Sequence, residues 1–498
     1  MEDTTMMKRK FSLALALMIT LSAFAGCGQA ENTPTGTDDT TTTADATDTT
    51  AAETDYLETL DIKDFEGYEY RIIAQSYDQR PNLPLSETET GEILNDTIIK
   101  RNRKVEDLLN ITIVNIPFES RYDVTDKVRS ASMSDEDAYD LVITSINFGI
   151  NTLTTDGCLY DLSSMPNLDF SKAWWCQSIY DDYQVNGHFY FTSGPISPFY
   201  FYTPGFVAYN KTVTDAYGVE GLEQTVLDGK WTFDYLKKLT TGKAVDLNGD
   251  GKFDTENDSY PISGTSGDAY FITGFGEKMI ERTSDNSFEF RMTTESFVNK
   301  IEQMAAYYSD NTTFANCVKT IKDAMKMFQE DRAMFYVTTM NNVITGYEEL
   351  PSFREMKSDY GLLPLPKYNE SQSGYVTVAQ PAGPAGVAVP STCRDADRNS
   401  LIMEVMAYYS GDMIREAAYE KIVKGKGVRI DGTEEMLGLI YDNIVYDMNY
   451  VFDFGGSKTA MIDFFANNSG DYMSKITAKM GKAQAELENY VTMLEDLG

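Results

Sequence analysis

The chain has 498 residues, 42% of them hydrophobic, with 77 Asp and Glu against 42 Lys and Arg and a formal net charge of −35. That acidic balance argues against nucleic acid as a partner and against adhesion to anionic headgroups. A single histidine, His188, excludes multi-histidine metal centres and makes a Ser-His-Asp triad improbable.

The N-terminus carries Lys8, Arg9 and Lys10, followed by the uncharged run Phe11 to Phe24. This run is too short to span a bilayer and has the flanks of a secretory signal. It ends in Phe24-Ala25-Gly26-Cys27, which resembles the lipobox of bacterial lipoproteins, with Phe24 where Leu is usual. The resemblance implies a signal peptide over 1–26 and a lipidated Cys27, whose two acyl chains give stable anchoring. Gly28 to Asp55 holds 11 Thr and 7 acidic residues, and no Lys or Arg. Such a stretch cannot bury enough surface to offset ordering entropy, so 27–55 is expected to be a disordered tether with a span of about 30 Å. Tethers of this kind are common on Gram-positive surfaces, so the expected location is the extracellular face of the cell membrane.

Beyond the tether, Tyr68 to Ser76 alternates and is β-rich, predicting a first strand. Leu94, Ile98, Val105 and Leu108 recur at helical spacing, predicting a helix over 91–110. Ile111 to Ile116 reads as a strand. Tyr139 to Thr144 is a short apolar run of the kind found in buried parallel strands. Strand, helix and strand in this alternation predict a doubly wound α/β lobe. Ala333 to Thr338 and Gly386 to Val389 read as further buried strands. Ser400 to Tyr409 and Thr433 to Ile444 read as helices. Ser474 to Leu497 is the clearest helix, with Ile476, Met480, Ala483, Leu487, Tyr490 and Leu494 on one face. Cys158, Cys176, Cys317 and Cys393 allow three pairings or none.

Asp246 to Asp258 reads DLNGDGKFDTEND. Asp246, Asn248, Asp250 and Asp254 occupy positions 1, 3, 5 and 9 of a calcium loop, and Gly251 sits at the sharp turn. Lys252 would offer its backbone carbonyl at position 7. Position 12 is Asn257, so the usual bidentate carboxylate is missing. The expected cofactor is a structural Ca²⁺; the competing interpretation is an Asp/Gly-rich turn with solvated charges.

Three ordered motifs lie between Asn186 and Leu236: Gly187-His188-Phe189-Tyr190, Tyr209-Asn210-Lys211 and Trp231-Thr232-Phe233-Asp234. Phe328 to Met334 (FQEDRAM) and Gly361 to Pro366 (GLLPLP) continue the order. Together they resemble the extracellular solute-binding proteins of ABC importers, the carbohydrate-binding group in particular. The resemblance implies an α/β, two-lobed periplasmic-binding-protein-like (type II) fold with ligand in the inter-lobe cleft. Lobe 1 is expected to hold 56–197 plus 335–412, and lobe 2 to hold 198–334 plus 413–498. The implied partners are a small solute, a mono- or oligosaccharide, and ABC permease subunits, with the chain monomeric and non-catalytic.

Asn147 and Phe148 follow a strand at its carboxyl end, where ligands bind in open α/β sheets. Tyr200 and Tyr202 belong to an aromatic cluster at the implied cleft floor, and apolar sugar faces stack on such rings. Asp268 and Tyr270 resemble a segment of maltodextrin-binding proteins where an acid and a tyrosine contact sugar. Met340 lies near the position where that family places a tryptophan. Core packing competes for each of the aromatics. The alternatives are a secreted glycoside hydrolase using paired carboxylates, or a receptor for peptide or polyol.

Overall fold

The computed structural model describes residues 56–76, 86–265, 270–317, 321–346, 350–423, 432–467 and 471–497. The expected signal peptide, Cys27, the tether and Asp268 lie outside the described residues.

The first sheet has five strands in the order Ile111–Phe118, Tyr68–Gln75, Leu141–Thr144, Gly386–Ala388, Thr192–Ser193. The first three run parallel, with Ile72 opposite both Asn115 and Leu141. Gly386–Ala388 runs antiparallel to them, and Thr192–Ser193, antiparallel to Gly386–Ala388, resumes their direction. All four residues of Leu141–Thr144 are buried, as a parallel strand covered on both faces requires. Helix Ile93–Leu109 starts at Glu92, whose carboxylate accepts the Asn95 N–H, and stops at Asn110 in the left-handed region. It buries Leu94, Ile98, Val105 and Leu109.

The second sheet is mixed, in the order Tyr360–Leu363, Gly205–Asn210, Ala333–Thr339, Tyr260–Gly264, Phe314–Asn316. This corrects the expected division of the chain. Ala333–Thr339 pairs with Gly205–Asn210 (Phe335 opposite Tyr209), and so does Tyr360–Leu363 (Tyr360 opposite Asn210). Most of 335–378 therefore builds the second lobe, and the return to the first lobe comes just before Gly386. The crossing segments lie side by side. Pro204 bridges Ala379, the Gln380 N–H donates to the Thr203 carbonyl, and Thr377–Val378 pairs in parallel with Ile444–Val445. That last pairing also ends the predicted helix 433–444 early, at Tyr441.

Helix Arg415–Val423 packs on helix Ile93–Leu109 of the first lobe, although 413–498 was expected in the second. The C-terminal helix Tyr472–Leu497 touches both lobes. Near its start the Tyr472 hydroxyl donates to the Met292 carbonyl; near its end Glu495 accepts from Asn186 Nδ2 at 2.9 Å.

One buried acid organises the outer side of the first lobe. Glu404 accepts from Tyr56 Oη and Trp174 Nε1 on one oxygen, and from Trp175 Nε1 and the Asp169 N–H on the other. Trp175 is buried and Trp174 packs edge-on against Tyr56. Burial pushes the Glu404 carboxyl up to about 7 despite these donors. Cys158, Cys176, Cys317 and Cys393 are free thiols.

Candidate functional site

The carboxyl end of the first sheet is built around Gln75, a buried amide whose Oε1 accepts from Thr144 Oγ1 and the Ser145 N–H. Ser145 caps the π-helical turn Ile146–Ile150 by accepting the Phe148 N–H. The Ile146 N–H donates to the Pro381 carbonyl of the crossing segment at 3.0 Å. These bonds fix Asn147 and Phe148 beside the crossing, where the strand-end rule placed them. Arg121 opens helix Arg121–Met133, lays its guanidinium over the Phe148 ring at 4.8 Å and donates to the Ala382 carbonyl at 3.1 Å.

The turn continues directly into helix Asn151–Thr155, which forms one wall of a cavity of about 490 Å³. Asn151, Thr152 and Thr155 line it from the first lobe. Phe452 and Phe454 line it from the C-terminal region, together with Glu486, Asn489, Tyr490 and Met493 of helix Tyr472–Leu497. Phe452 and Phe454 stack at 5.3 Å with 13° between planes, and Phe452 meets Tyr490 at 4.6 Å. Asn151 Nδ2 donates across the cavity edge to the Val451 carbonyl at 3.4 Å.

The turn behind this aromatic wall requires a glycine. Gly455 has φ +63°, and a Cβ there would lie 2.5 Å from the Ala483 nitrogen. That close approach of backbone to helix holds Phe454 in place. Glu486 Oε2 accepts the Gly455 N–H at 2.6 Å and ties the same turn to the C-terminal helix. The wall thus offers stacked rings, two amides and one carboxylate, a combination suited to a ligand with an apolar face and several hydroxyls.

The sequence-based selection missed this wall. Tyr490 was assigned only to the packed face of its helix, and Phe452 and Phe454 were not singled out. The motif Phe452-Asp453-Phe454-Gly455-Gly456, two rings ahead of a glycine turn, was the available signal.

Other expected ligand residues are packed inside. Tyr200 and Tyr202 belong to the 3₁₀ turn Pro198–Tyr202 and are buried, and the Phe199 and Tyr202 rings stack at 5.1 Å. Tyr270 is buried at the start of helix Tyr270–Gly274. Met340 is fully buried, and its N–H donates to the Pro204 carbonyl. All four are buried, as are Phe454 and Tyr490 of the cavity wall.

The Asp246 to Asp258 loop folds upon its own backbone. Asp246 accepts the Gly249 and Gly251 N–H groups, Asn248 accepts that of Asp250, and Asp250 accepts that of Lys252. Asp254 accepts from Glu256 and Asn257. Asp258, fully buried, accepts from Leu247 and Asp254, and Arg332 holds its carbonyl. Gly249 and Gly251 have φ of +73° and +79°, the left-handed turn that the loop spacing demands. Among the described residues no group of three or more His, Cys, Asp or Glu is placed to hold a metal.

No protein-family profile and no curated protein sequence matches the chain. Its shape, however, is similar to solved structures. One is the galacto-N-biose/lacto-N-biose I-binding protein of the ABC transporter from Bifidobacterium longum, in complex with lacto-N-biose. It is 13% identical, with TM-score 0.55, covering 86% of this chain and 98% of that one. Another is an ABC transporter solute-binding protein from Thermotoga lettingae bound with α-D-tagatose, 14% identical, TM-score 0.51, covering 86% and 100%. A third is an ABC substrate-binding protein from Listeria monocytogenes in complex with cycloalternan, 12% identical, TM-score 0.50, covering 85% and 99%. At these identities the likeness fixes the architecture: two α/β lobes of the periplasmic-binding-protein type.

Proposed function

We propose that this chain, built on the fold of ABC-importer binding proteins, captures a mono- or oligosaccharide between its lobes and delivers it to an import permease. The observation that carries the proposal is the cavity walled by Phe452, Phe454 and Tyr490 on one side and by Asn151 and Thr152 of the first lobe on the other. A ligand that touches both walls favours the arrangement in which both are present, and so converts binding into a shape that a permease can distinguish.

The proposal assigns no chemistry to the site. Glycoside hydrolysis needs two carboxylates flanking one bond, and Glu486 is the one acid among the described lining residues. Lipidation at Cys27, with the body held at the outer face of the cell membrane, belongs to the same proposal, and so does a structural Ca²⁺ at the Asp246 to Asp258 loop. No helix among the described residues is long and apolar enough to cross a membrane.

A thermal-shift screen of the full chain against monosaccharides, oligosaccharides, peptides and polyols tests the proposal. A saccharide is expected to raise the melting temperature, as any ligand of the native state alone must. Stabilisation by peptides or polyols, with no response to any saccharide, overturns it.

A further inference from the structure

The second lobe meets the rest of the molecule along a seam formed by its residues Glu277 to Arg282. This segment is fixed to its own lobe, because Lys300 pairs with Glu277 and donates to the Phe275 carbonyl. Across the seam Lys278 pairs with Asp182, and Arg282 donates to the Asp181 carbonyl, both on helix Gln177–Tyr183. A third contact reaches the turn after the crossing strand Ile444–Val445: the Met279 N–H donates to Asp447 Oδ2 at 2.6 Å.

Asp447 is 3% exposed. Its other oxygen accepts the Asn449 and Tyr450 N–H groups and so caps helix Met448–Phe452. Those two bonds are local and travel with Asp447, whereas the Met279 bond comes from the other lobe. Withdrawing the second lobe removes that donor and opens Oδ2 to water.

The groups that face Asp447 leave its charge poorly compensated. Helix Gln177–Tyr183 brings Asp181, Asp182 and Tyr183. The second lobe brings Glu277, Lys278 and Arg282, with Lys278 engaged by Asp182. Helix Ser457–Asn467 brings Lys458, which lies over the Tyr450 ring at 5.3 Å. Tyr490 of the C-terminal helix stands beyond Phe452, and the turn Ile146–Ile150 carries no titratable residue. Among the described residues no cation pairs with Asp447. Burial, with the Asp182 charge adding to it, pushes the Asp447 carboxyl up to about 6 despite its three N–H donors. The Tyr183 hydroxyl is buried without a hydrogen-bond partner, close enough for the Asp447 and Asp182 charges to oppose its ionisation. Its oxygen is available to accept the O–H of a neutral Asp447.

We propose that this seam is a proton-operated latch between the lobes: Asp447 takes up a proton as the second lobe seats Met279 over it and releases the proton as that lobe withdraws, so that acid favours the seated arrangement. The inference is independent of which ligand the cavity takes. Seated, Asp447 titrates near 6; open to water, it returns toward its ordinary 3.8. The advantage of the seated state is full below about 3.8 and is lost as pH rises through about 6. From pH 7 to 4.5 the ratio of seated to withdrawn molecules should rise about thirtyfold.

Two measurements on the full chain test this. The Met279 amide resonance, observed with isotope-labelled methionine and assigned through Met279→Leu, should titrate with a midpoint near pH 6. Asp447→Asn, which mimics the neutral acid, should abolish that titration, and Tyr183→Phe should lower its midpoint by removing the proton acceptor. Over the same range the radius of gyration from X-ray scattering should fall with pH in the unmodified chain and stay low in Asp447→Asn. A midpoint at the ordinary carboxylate value overturns the inference, as does a Met279 titration that persists in Asp447→Asn or a radius of gyration that ignores pH in the unmodified chain. Should Asp447→Asn fail to fold, an unmoved midpoint in Tyr183→Phe overturns it as well.

Discussion

The Lys278 ammonium lies 2.6 Å from both carboxylate oxygens of Asp182, joining the second lobe to helix Gln177–Tyr183 of the first. Arg282 Nη1 reinforces the contact by donating to the Asp181 carbonyl. Burial raises the Asp182 pKa even against the attraction of Lys278.

Breaking this pair should therefore leave an uncompensated charge between the lobes. Asp182→Asn and Lys278→Met are each expected to cost about 1–2 kcal/mol, less than a fully buried pair because the Lys278 side chain is 33% exposed. A double-mutant cycle in urea checks this; a coupling energy near zero would make the pair incidental.

Glu404 supplies a pH dependence with a definite sign. Its carboxyl rises from 4.5 to about 7 on folding, so between these values the native state holds a proton that the unfolded chain has released. Its contribution to stability is full below about 4.5 and is lost as pH rises to about 7, by up to about 3 kcal/mol. Melting curves from pH 4.5 to 8 should show this fall, flattened in Glu404→Gln. An identical slope in the variant would refute the assignment.

If the Asp246 to Asp258 loop takes calcium, the native state gains stability by mass action, about 2.7 kcal/mol at a hundredfold excess over Kd. Millimolar Ca²⁺ should raise the melting temperature relative to chelator, and Asp250→Ala should abolish the response. No difference between calcium and chelator in the unmodified chain would remove the ion from the proposal.

Cys27→Ala tests the anchor. Fractionated cells should carry the unmodified protein in the membrane pellet and the variant in the medium or wall fraction. A variant that still pellets with membranes would contradict anchoring through this cysteine.

Much of the scaffold was legible in the sequence because its signals are local. The apolar run at 139–144 became Leu141–Thr144, and the periodic face from Ile476 to Leu494 became the C-terminal helix. Sheet membership was not legible. Ala333–Thr339 reads as a buried strand in either lobe, and only its pairing with Gly205–Asn210 decides. The position of Asn147 and Phe148 just after a strand end was legible because strand polarity points to it. The rings that face helix Asn151–Thr155 come from Phe452, Phe454 and Tyr490, some three hundred residues later, and no local pattern links them. Tyr200 and Tyr202 are buried, and aromatic density has the same appearance in a core and in a cleft.

The interleaved path of the chain has a consequence for biogenesis. Tyr56 bonds Glu404 across 348 positions and Asn186 bonds Glu495 across 309. The fourth strand of the first sheet in spatial order, Gly386–Ala388, is made only after almost the whole second lobe. An emerging N-terminal segment therefore cannot complete a core by itself, and loop closure over such distances slows folding. A chain of this topology is expected to stay unfolded through most of its synthesis, because its first sheet closes only once Gly386–Ala388 has been made.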